Sequence, residues 1–439
     1  MDFFALIPSF ICTYLTPFML FLSSAAVLSE SGFFSRLSPK NLFSALRSKK
    51  SDGTSPLRAL SLSLAGTLGV GNITGVASAV VMGGAGAVFW MWAGALAVIP
   101  VKYAETYLAV RFRRSGKHGY YGGAMYYITD GLGRHSPRLA ATLGAVFAVL
   151  CALNSLVTGN IVQANAAACV FDAEYRPICG IALAVLVLFA IIYGTDRISR
   201  ITSAVIPPLC VLYVSISLVI ILSNITLVPS VVSEIIKSAF SARALAGGAA
   251  GFSVREAARY GVIRGIFSNE AGCGTSPTAH ASADADSPHS QACLGVVEVA
   301  ADTLVLCTLT ALVLLIAEKK CAFIPWHENT DVTHTALGAF SSLAGSGVYF
   351  ILVGAIFLFA YSTLIAQFYY GTVAVGYLTD RKIPRVIYTV MSVLCPVVGS
   401  VISAPAMWYI ADTLIGIMTA VNCAVIIVLS HFVRPSPLR

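Results

Sequence analysis

Charge is scarce in this chain of 439 residues: only 11% are Asp, Glu, Lys or Arg, whereas 57% are hydrophobic. A soluble domain carries about 25% charged residues. Apolar stretches of about 18 residues or more, each long enough to cross a bilayer, recur from end to end. The composition therefore excludes a water-soluble fold and nucleic-acid binding, and it predicts a polytopic protein of the lipid bilayer.

Disulfide chemistry is also missing from the pattern. The eleven cysteines form no Cys-x-x-Cys pair, and most lie inside apolar runs, so we interpret them as small buried residues. Cys169 and Cys179 flank a short polar loop and can pair only if that loop faces an oxidising space. The N-terminal segment lacks the basic start and cleavage site of a signal peptide, so its first helix is expected to remain.

The fold class predicted from hydropathy is all-α, with about eleven transmembrane helices. Their approximate ranges are 5–29, 59–81, 85–112, 138–168, 178–194, 203–223, 238–254, 289–317, 346–374, 384–401 and 405–430. Short loops rich in Lys and Arg stay in the cytoplasm. One side of this topology holds 23 of the 28 basic residues, among them those assigned to a loop over 255–288. The bias predicts an N-terminus outside and a C-terminus in the cytoplasm.

The order of the helices predicts an inverted repeat. After an extra helix and basic loop (1–57), five helices over 58–237 and five over 238–430 begin on opposite sides, before a cytoplasmic tail (431–439). In transporters built this way, glycine often breaks the first helix of each half and exposes peptide groups at mid-membrane. Glycines crowd residues 65–75, and they recur at 247–251. A Gly71–Gly75 packing motif is the alternative interpretation of the first cluster.

Polar side chains inside the spans are candidate ligands. Asn154, Thr158, Asn160, Gln163 and Asn165 crowd one helix. Gln163 carries both a donor and an acceptor, which suits a zwitterion, although hydrogen bonding between helices explains such residues as well.

Two neighbouring hydroxyls interrupt another apolar helix. Ser362 and Thr363 can offer oxygens to a small cation such as sodium, or can bond back to the preceding turn. The sequence chemistry leaves both interpretations open.

Ionisable residues at membrane depth are few. Lys102 with Glu105, and Glu298 with Asp302, lie one turn apart on two helices. A structural role is favoured over a proton relay, with a local ion pair expected between Lys102 and Glu105. Asp412 stands alone in the last span. The stretch 280–289 has metal-ligand residue types, but no closed metal motif, so it is interpreted as a polar cytoplasmic loop rather than a metalloenzyme site. No catalytic residues and no metal other than sodium are predicted.

With these residues in view, the chain resembles the alanine or glycine:cation symporter family, sodium-coupled carriers of small amino acids in prokaryotic plasma membranes. The motif Ser268-Asn269-Glu270-Ala271-Gly272 is the most specific part of the match. The remaining matching stretches are 69–77, 86–92, 102–105, 122–128, 159–165 and 264–267.

The resemblance implies the leucine-transporter-type fold and a site at the broken helices. Backbone amides of Gly69, Val70 and Gly71 and the side chain of Asn72 would face the substrate carboxylate, and Gln163 would complete the pocket. Gly247 and Gly248 would line its other wall. Sodium would lie between the carbonyl region near Ala65 and Leu68 and the hydroxyls of Ser362 and Thr363.

The expected function is sodium-coupled import of a small neutral amino acid across a prokaryotic inner membrane, with no cofactor, no nucleic acid and no obligate protein partner. Departures from the family pattern put alanine or glycine as the substrate in doubt: Val70 replaces a usual Thr, Gln367 a usual Trp and Thr372 a usual Glu. A proton-coupled carrier or exchanger of the same fold is the alternative, and a transporter-like receptor a remote one.

Overall fold

The computed structural model describes residues 10–33, 37, 42, 45–46, 54–116, 119–134, 136–192, 194–240, 254–322, 331–402 and 404–434. These ranges are almost entirely helical. The predicted second break, with Gly247 and Gly248, lies outside the described residues, as does most of the helix predicted over 238–254. The two inverted halves therefore stay a prediction.

The described helices are numbered here in chain order. They are α1 (Ile11–Ser31), α2 (Pro56–Thr67), α3 (Thr74–Gly83), α4 (Gly86–Arg111), α5 (Ala124–Leu132), α6 (Pro137–Ala168), α7 (Arg176–Ile191), α8 (Thr195–Ser223), α9 (Val228–Ala239), α10 (Val254–Asn269), α11 (Pro277–Ala281), α12 (Pro288–Cys321), α13 (Val332–Ala344), α14 (Ser346–Leu378), α15 (Lys382–Val401) and α16 (Ala404–Leu429). A short antiparallel hairpin, β1 (Arg114–Gly116) and β2 (Gly119–Tyr121), pairs Ser115 with Tyr120.

Eight described helices are long and apolar enough to cross a membrane, namely α1, α4, α6, α8, α12, α14, α15 and α16. The broken pair α2 and α3 passes the same test as one span, so the described part of the chain has up to nine candidate spans. The predicted count of eleven is not confirmed. In the region predicted as 178–194, α7 is apolar but only 16 residues long.

Two helices, α2 and α12, begin directly after a serine that caps them. Ser55 precedes α2 and accepts the Arg58 N–H at 3.4 Å, and Ser287 precedes α12 and accepts the Ser290 N–H at 3.1 Å. A proline follows each serine at the start of the helix. Because the first N–H groups of a helix have no helical partner, a serine oxygen and a residue without an N–H stabilise such starts.

The segment 255–288 differs from the polar loop that its low hydropathy predicts. It holds α10 and α11, and residues 265–283 are all buried. Its polar groups have partners on other helices: Gln367 donates Nε2 to Glu270 Oε1 at 2.7 Å, and Lys102 donates Nζ to the Asn269 carbonyl at 3.2 Å. Hydropathy counts such residues as exposed, whereas pairing allows them to be buried.

A buried ion cluster joins α4 to α12. Lys102 on α4 is fully buried, and its Nζ lies 3.0 Å from Glu298 Oε1 and 3.9 Å from Glu105 Oε1. Glu105 Oε2 in turn accepts the Gly274 N–H at 3.2 Å. The predicted local pair with Glu105 is thus the longer contact, and the stronger one connects two helices.

His280 completes this cluster instead of lying in a polar loop as predicted. It is fully buried in α11, with Nε2 2.9 Å from Glu298 Oε2 and Nδ1 2.8 Å from Gln291 Nε2. His280 therefore links Glu298 to Gln291. Both oxygens of Glu298 are therefore used.

We expect Glu298→Gln to lower the free energy of unfolding by about 3–5 kcal/mol, because it leaves Lys102 buried without its nearest carboxylate. Glu234→Gln is the matched control, since the Glu234–Lys319 pair is also 3.0 Å long but its side chains are 41% and 29% exposed. An exposed pair contributes about 0–1 kcal/mol. Thermal unfolding in detergent measures both, and equal losses would contradict a structural role of the buried cluster.

Candidate transport site

The span made of α2 and α3 is broken in the middle. Its two parts, Pro56–Thr67 and Val70–Gly83, meet at an angle of 61°. Leu68 leaves the helical region with φ −77° and ψ 77°, Gly69 is extended, and Val70 to Asn72 form one 3-10 turn. All five residues from Leu68 to Asn72 are buried. Irregular backbone at this depth needs protein partners, because lipid supplies no hydrogen bonds.

One face of the break contacts both Gln163 and Thr363. Gln163 Oε1 on α6 accepts the Val70 N–H at 3.1 Å. A Cβ added to Gly69 would lie 2.6 Å from Gln163 Oε1 and 2.8 Å from Thr363 Oγ1 on α14. Because Gly69 has no side chain, Gln163, the candidate substrate residue, and Thr363, a candidate sodium residue, both approach the same peptide.

The hydroxyls predicted for sodium lie on the buried face of α14. Ser362 and Thr363 both donate to the Phe359 carbonyl, at 2.8 and 3.0 Å. This is the back-bonding alternative, yet each oxygen keeps lone pairs that can accept or coordinate. Ala65 and Leu68, whose carbonyl region was predicted to complete the set, are fully buried on either side of the end of α2.

The other face of the break contacts α10 and α12. Asn72 donates Nδ2 to Asp302 Oδ1 at 2.6 Å and to Ser268 Oγ at 3.1 Å. Its carbonyl accepts the Thr310 hydroxyl at 2.7 Å. The structure thus places the Asn72 side chain among protein groups opposite Gln163. Gly71 lies against Phe267, whose ring would be 3.5 Å from an added Cβ.

The remaining polar residues of α6 differ in role. Asn165 donates to the carbonyls of Gly399 and Ile402 at 2.9 and 2.8 Å, which ties α6 to the end of α15. Thr158 bonds locally to Asn154 at 2.8 Å. Asn165 therefore ties two helices together, whereas Thr158 and Asn154 bond to each other within α6.

The family departures are distributed unevenly around the site. Gln367 is buried beside Gly159, where an added Cβ would be 2.4 Å from its side chain, and it bonds to Glu270. Thr372 bonds back to the Phe368 carbonyl at 2.8 Å. Val70 is fully buried within the break. Of the three departures, Val70 alone lies in the break itself, whereas Gln367 contacts α6 and Glu270.

Sequence reasoning missed the contribution of Ser268 and of Asp302 to the broken helix. The sequence indicates Asp302 only as a titratable group, and low hydropathy predicts a loop at Ser268, although Ser268 opens a long family motif. The described residues contain no group of three or more His, Cys, Asp or Glu side chains arranged for a metal ion. The lone residue Asp412 has a partner, since Arg264 Nη1 lies 3.5 Å away.

The sodium:alanine symporter family profile matches residues 2–436, almost the entire chain. The chain belongs to this family. Sodium/alanine symporter AgcS of Methanococcus maripaludis is 37% identical over 401 residues, which cover 90% of this chain and 86% of that protein. Probable sodium/glutamine symporter GlnT of Bacillus subtilis is 35% identical over 392 residues, or 89% and 78% of the two chains. Membership makes this chain a cation-coupled amino-acid transporter of the membrane, not an enzyme.

The fold of this family member is also found in a solved transporter. The crystal structure of MhsT in complex with L-phenylalanine superposes with a TM-score of 0.57 at 13% identity, covering 88% of this chain and 97% of that one. At this identity the likeness shows the fold alone. The predicted family and the leucine-transporter-type fold are confirmed.

We expect Gly69→Ala to abolish amino-acid binding, because the new methyl group would force Gln163 and Thr363 away from the break. Gly75→Ala is the control, since no atom lies within 4 Å of its added Cβ. Helical Ala is also more favourable than Gly, by about 0.5–1 kcal/mol. Binding measured by calorimetry should be lost in the first variant and kept in the second. Retention in both would exclude the predicted role of the Gly69 face.

Proposed function

We propose that this transporter imports a small neutral amino acid, such as alanine or glycine, together with sodium by alternating access. The observation that carries the proposal is the contact of Gly69 with both Gln163 and Thr363. A substrate group and a cation group that meet at one peptide can be ordered together. Differential affinity of the ligands for one state then shifts the transporter towards it.

Substrate binding would replace one hydrogen bond within the protein by two hydrogen bonds between the protein and the substrate. The Val70 N–H donates to Gln163 Oε1 at 3.1 Å. A zwitterionic amino acid offers a carboxylate to the freed N–H groups of the break and an ammonium to Gln163 Oε1. The two groups of the site are thus complementary to the two charges that all amino acids share. Gly71 and Asn72 continue the same turn.

The cation step orders the end of α2 against α14. Sodium would be coordinated by the hydroxyl oxygens of Ser362 and Thr363 and by carbonyl oxygens near Ala65 and Leu68. The family and the names of both relatives support sodium as the coupling ion. The relatives are named for alanine and for glutamine, so a substrate screen must include both.

The cellular setting follows from the same family and from charge. We propose a prokaryotic inner membrane location, with the N-terminus outside and the C-terminus in the cytoplasm, as the distribution of Lys and Arg indicates. The substrate, sodium and the bilayer are the partners that this function requires. A cysteine accessibility assay at each terminus in intact cells tests the orientation.

For the cation, we expect the double variant Ser362→Ala and Thr363→Ala to raise the sodium concentration for half-maximal uptake about tenfold, equivalent to about 1.4 kcal/mol of lost cation binding. Ser341→Ala with Ser342→Ala is the control, because these neighbouring hydroxyls also bond back to their own helix, at 3.1 and 2.9 Å. Uptake into proteoliposomes is measured against sodium. An unchanged sodium response would reject this cation site.

For the substrate, we expect Gln163→Ala to weaken amino-acid binding by about tenfold to a hundredfold, because one hydrogen bond to a charged ammonium is lost.

A separate uptake screen identifies the substrate and the coupling ion. The screen covers alanine, glycine, serine and glutamine, first under a sodium gradient and then under a proton gradient. Accumulation driven only by protons would favour the proton-coupled alternative. Binding without uptake under either gradient would favour a receptor.

A further inference from the structure

Two arginines converge on one aromatic ring at the end of the last span. The guanidinium carbon of Arg111, the last residue of α4, lies 5.1 Å from the centre of the Phe432 ring, and that of Arg134, between α5 and α6, lies 5.7 Å from it. Phe432 belongs to the 3-10 turn Ser430–Val433 that follows α16. Its ring also contacts Phe112 edge to face, with the ring centres 5.6 Å apart. Three separate parts of the chain therefore hold two positive charges around one ring.

Neither of these cations has a carboxylate partner. Among the described residues, no carboxylate oxygen lies within 4.0 Å of a side-chain nitrogen of Arg111 or Arg134. Both side chains are exposed. Arg111 donates one N–H to the Phe432 carbonyl at 3.3 Å, whereas a guanidinium has five N–H donors. The pair therefore presents two charges and several N–H donors that no described side chain compensates.

Two neighbouring arginines show the opposite arrangement. Arg114 lies over the Tyr126 ring, 5.2 Å from its centre, and also donates to both oxygens of Asp130, at 2.9 and 3.1 Å. Arg434 forms an ion pair with Glu30. An aromatic contact thus does not prevent an ion pair on this surface, so the missing carboxylates at the other ring point to a ligand from outside the chain.

Apolar side chains are exposed close to these charges. Val428 lies one turn before Phe432 near the end of α16 and is 52% exposed, and Leu139 in the first turn of α6 is 57% exposed. Packing joins these two regions, because a Cβ added to Gly131 of α5 would lie 2.7 Å from Leu429 Cδ1. Exposed apolar residues of a membrane span face acyl chains. Charge and apolar surface therefore adjoin here as the head group and the chains of a phospholipid do.

We propose that Arg111 and Arg134 bind the phosphate of an anionic phospholipid in the leaflet at the C-terminal end of α16. A guanidinium suits a phosphate because its planar fork can donate two parallel hydrogen bonds. Basic residues at this depth attract anionic lipids. The adjoining apolar surface favours a lipid over free phosphate, which has no acyl chains. The site is separate from the break and does not depend on which cation drives transport.

The test is lipid binding to the purified full-length chain in detergent, measured by native mass spectrometry. The probes are phosphatidylglycerol and phosphatidylcholine with the same acyl chains. We expect the wild type to bind phosphatidylglycerol more tightly. Arg111→Gln with Arg134→Gln should weaken that binding about thirtyfold, equivalent to about 2 kcal/mol, because two charges at an anionic surface are removed. Equal binding of the two lipids, or unchanged binding in the double variant, would overturn the proposal.

The matched control is Arg114→Gln, because this exposed arginine also lies over a ring but has Asp130 as its partner. It should keep the wild-type affinity, and a loss as large as in the double variant would indicate general attraction to a basic surface and reject the site. Inorganic phosphate is the competitor. If it displaces the lipid, free phosphate is the ligand and the lipid assignment is wrong.

A single variant keeps the test decisive if the double variant does not fold. Arg134 makes no side-chain hydrogen bond or ion pair to the described residues, so Arg134→Gln removes a charge without breaking an internal bond. We expect about fivefold weaker phosphatidylglycerol binding, equivalent to about 1 kcal/mol. Thermal unfolding without added lipid checks that the variant is folded. A folded Arg134→Gln chain with wild-type affinity would contradict the proposed site.

Discussion

Peptide groups released by the break between α2 and α3 need partners at a depth where lipid provides none. Gln163 accepts the Val70 N–H, and Thr310 donates to the Asn72 carbonyl, so α6 and α12 each supply one side chain to the break. Both helices contain a π-helical segment near these contacts, Val157–Ile161 and Ala300–Cys307. A π turn shifts the faces of a helix, and such turns are frequent at functional sites. The break and the π-helical segments of both neighbouring helices thus lie close together in the fold.

Two buried carboxylates on α12 differ in whether a cationic side chain compensates their charge. Glu298 uses both oxygens on Lys102 and His280, so its charge is compensated inside the protein. Asp302 receives only neutral donors, one of which comes from the break itself. The first arrangement holds helices together without a ligand. The second leaves the carboxylate of Asp302 without a cationic partner among the described residues.

Local sequence patterns predicted the long apolar helices and the helix break at residues 65–75. Hydropathy and glycine content suffice for this, because they are properties of residues that are neighbours in the chain. They failed for residues 265–283, whose polar side chains are buried against distant helices. Lys102 and Asn269, for example, are 167 positions apart, and Asn72 and Asp302 are 230 apart. The family resemblance indicated Gln163 and Asn72, but only the fold separates the two faces that they occupy.

This separation explains how one short segment can couple several ligands. Gly69 to Asn72 span a single turn, with Thr363 and Gln163 on one face and Ser268 and Asp302 on the other. A ligand that orders the turn from one face reduces the conformational entropy that a ligand on the other face must still remove. Under the proposed sodium coupling, a bound cation then raises the affinity for the amino acid and is itself held more tightly by it, because coupling between binding sites is reciprocal.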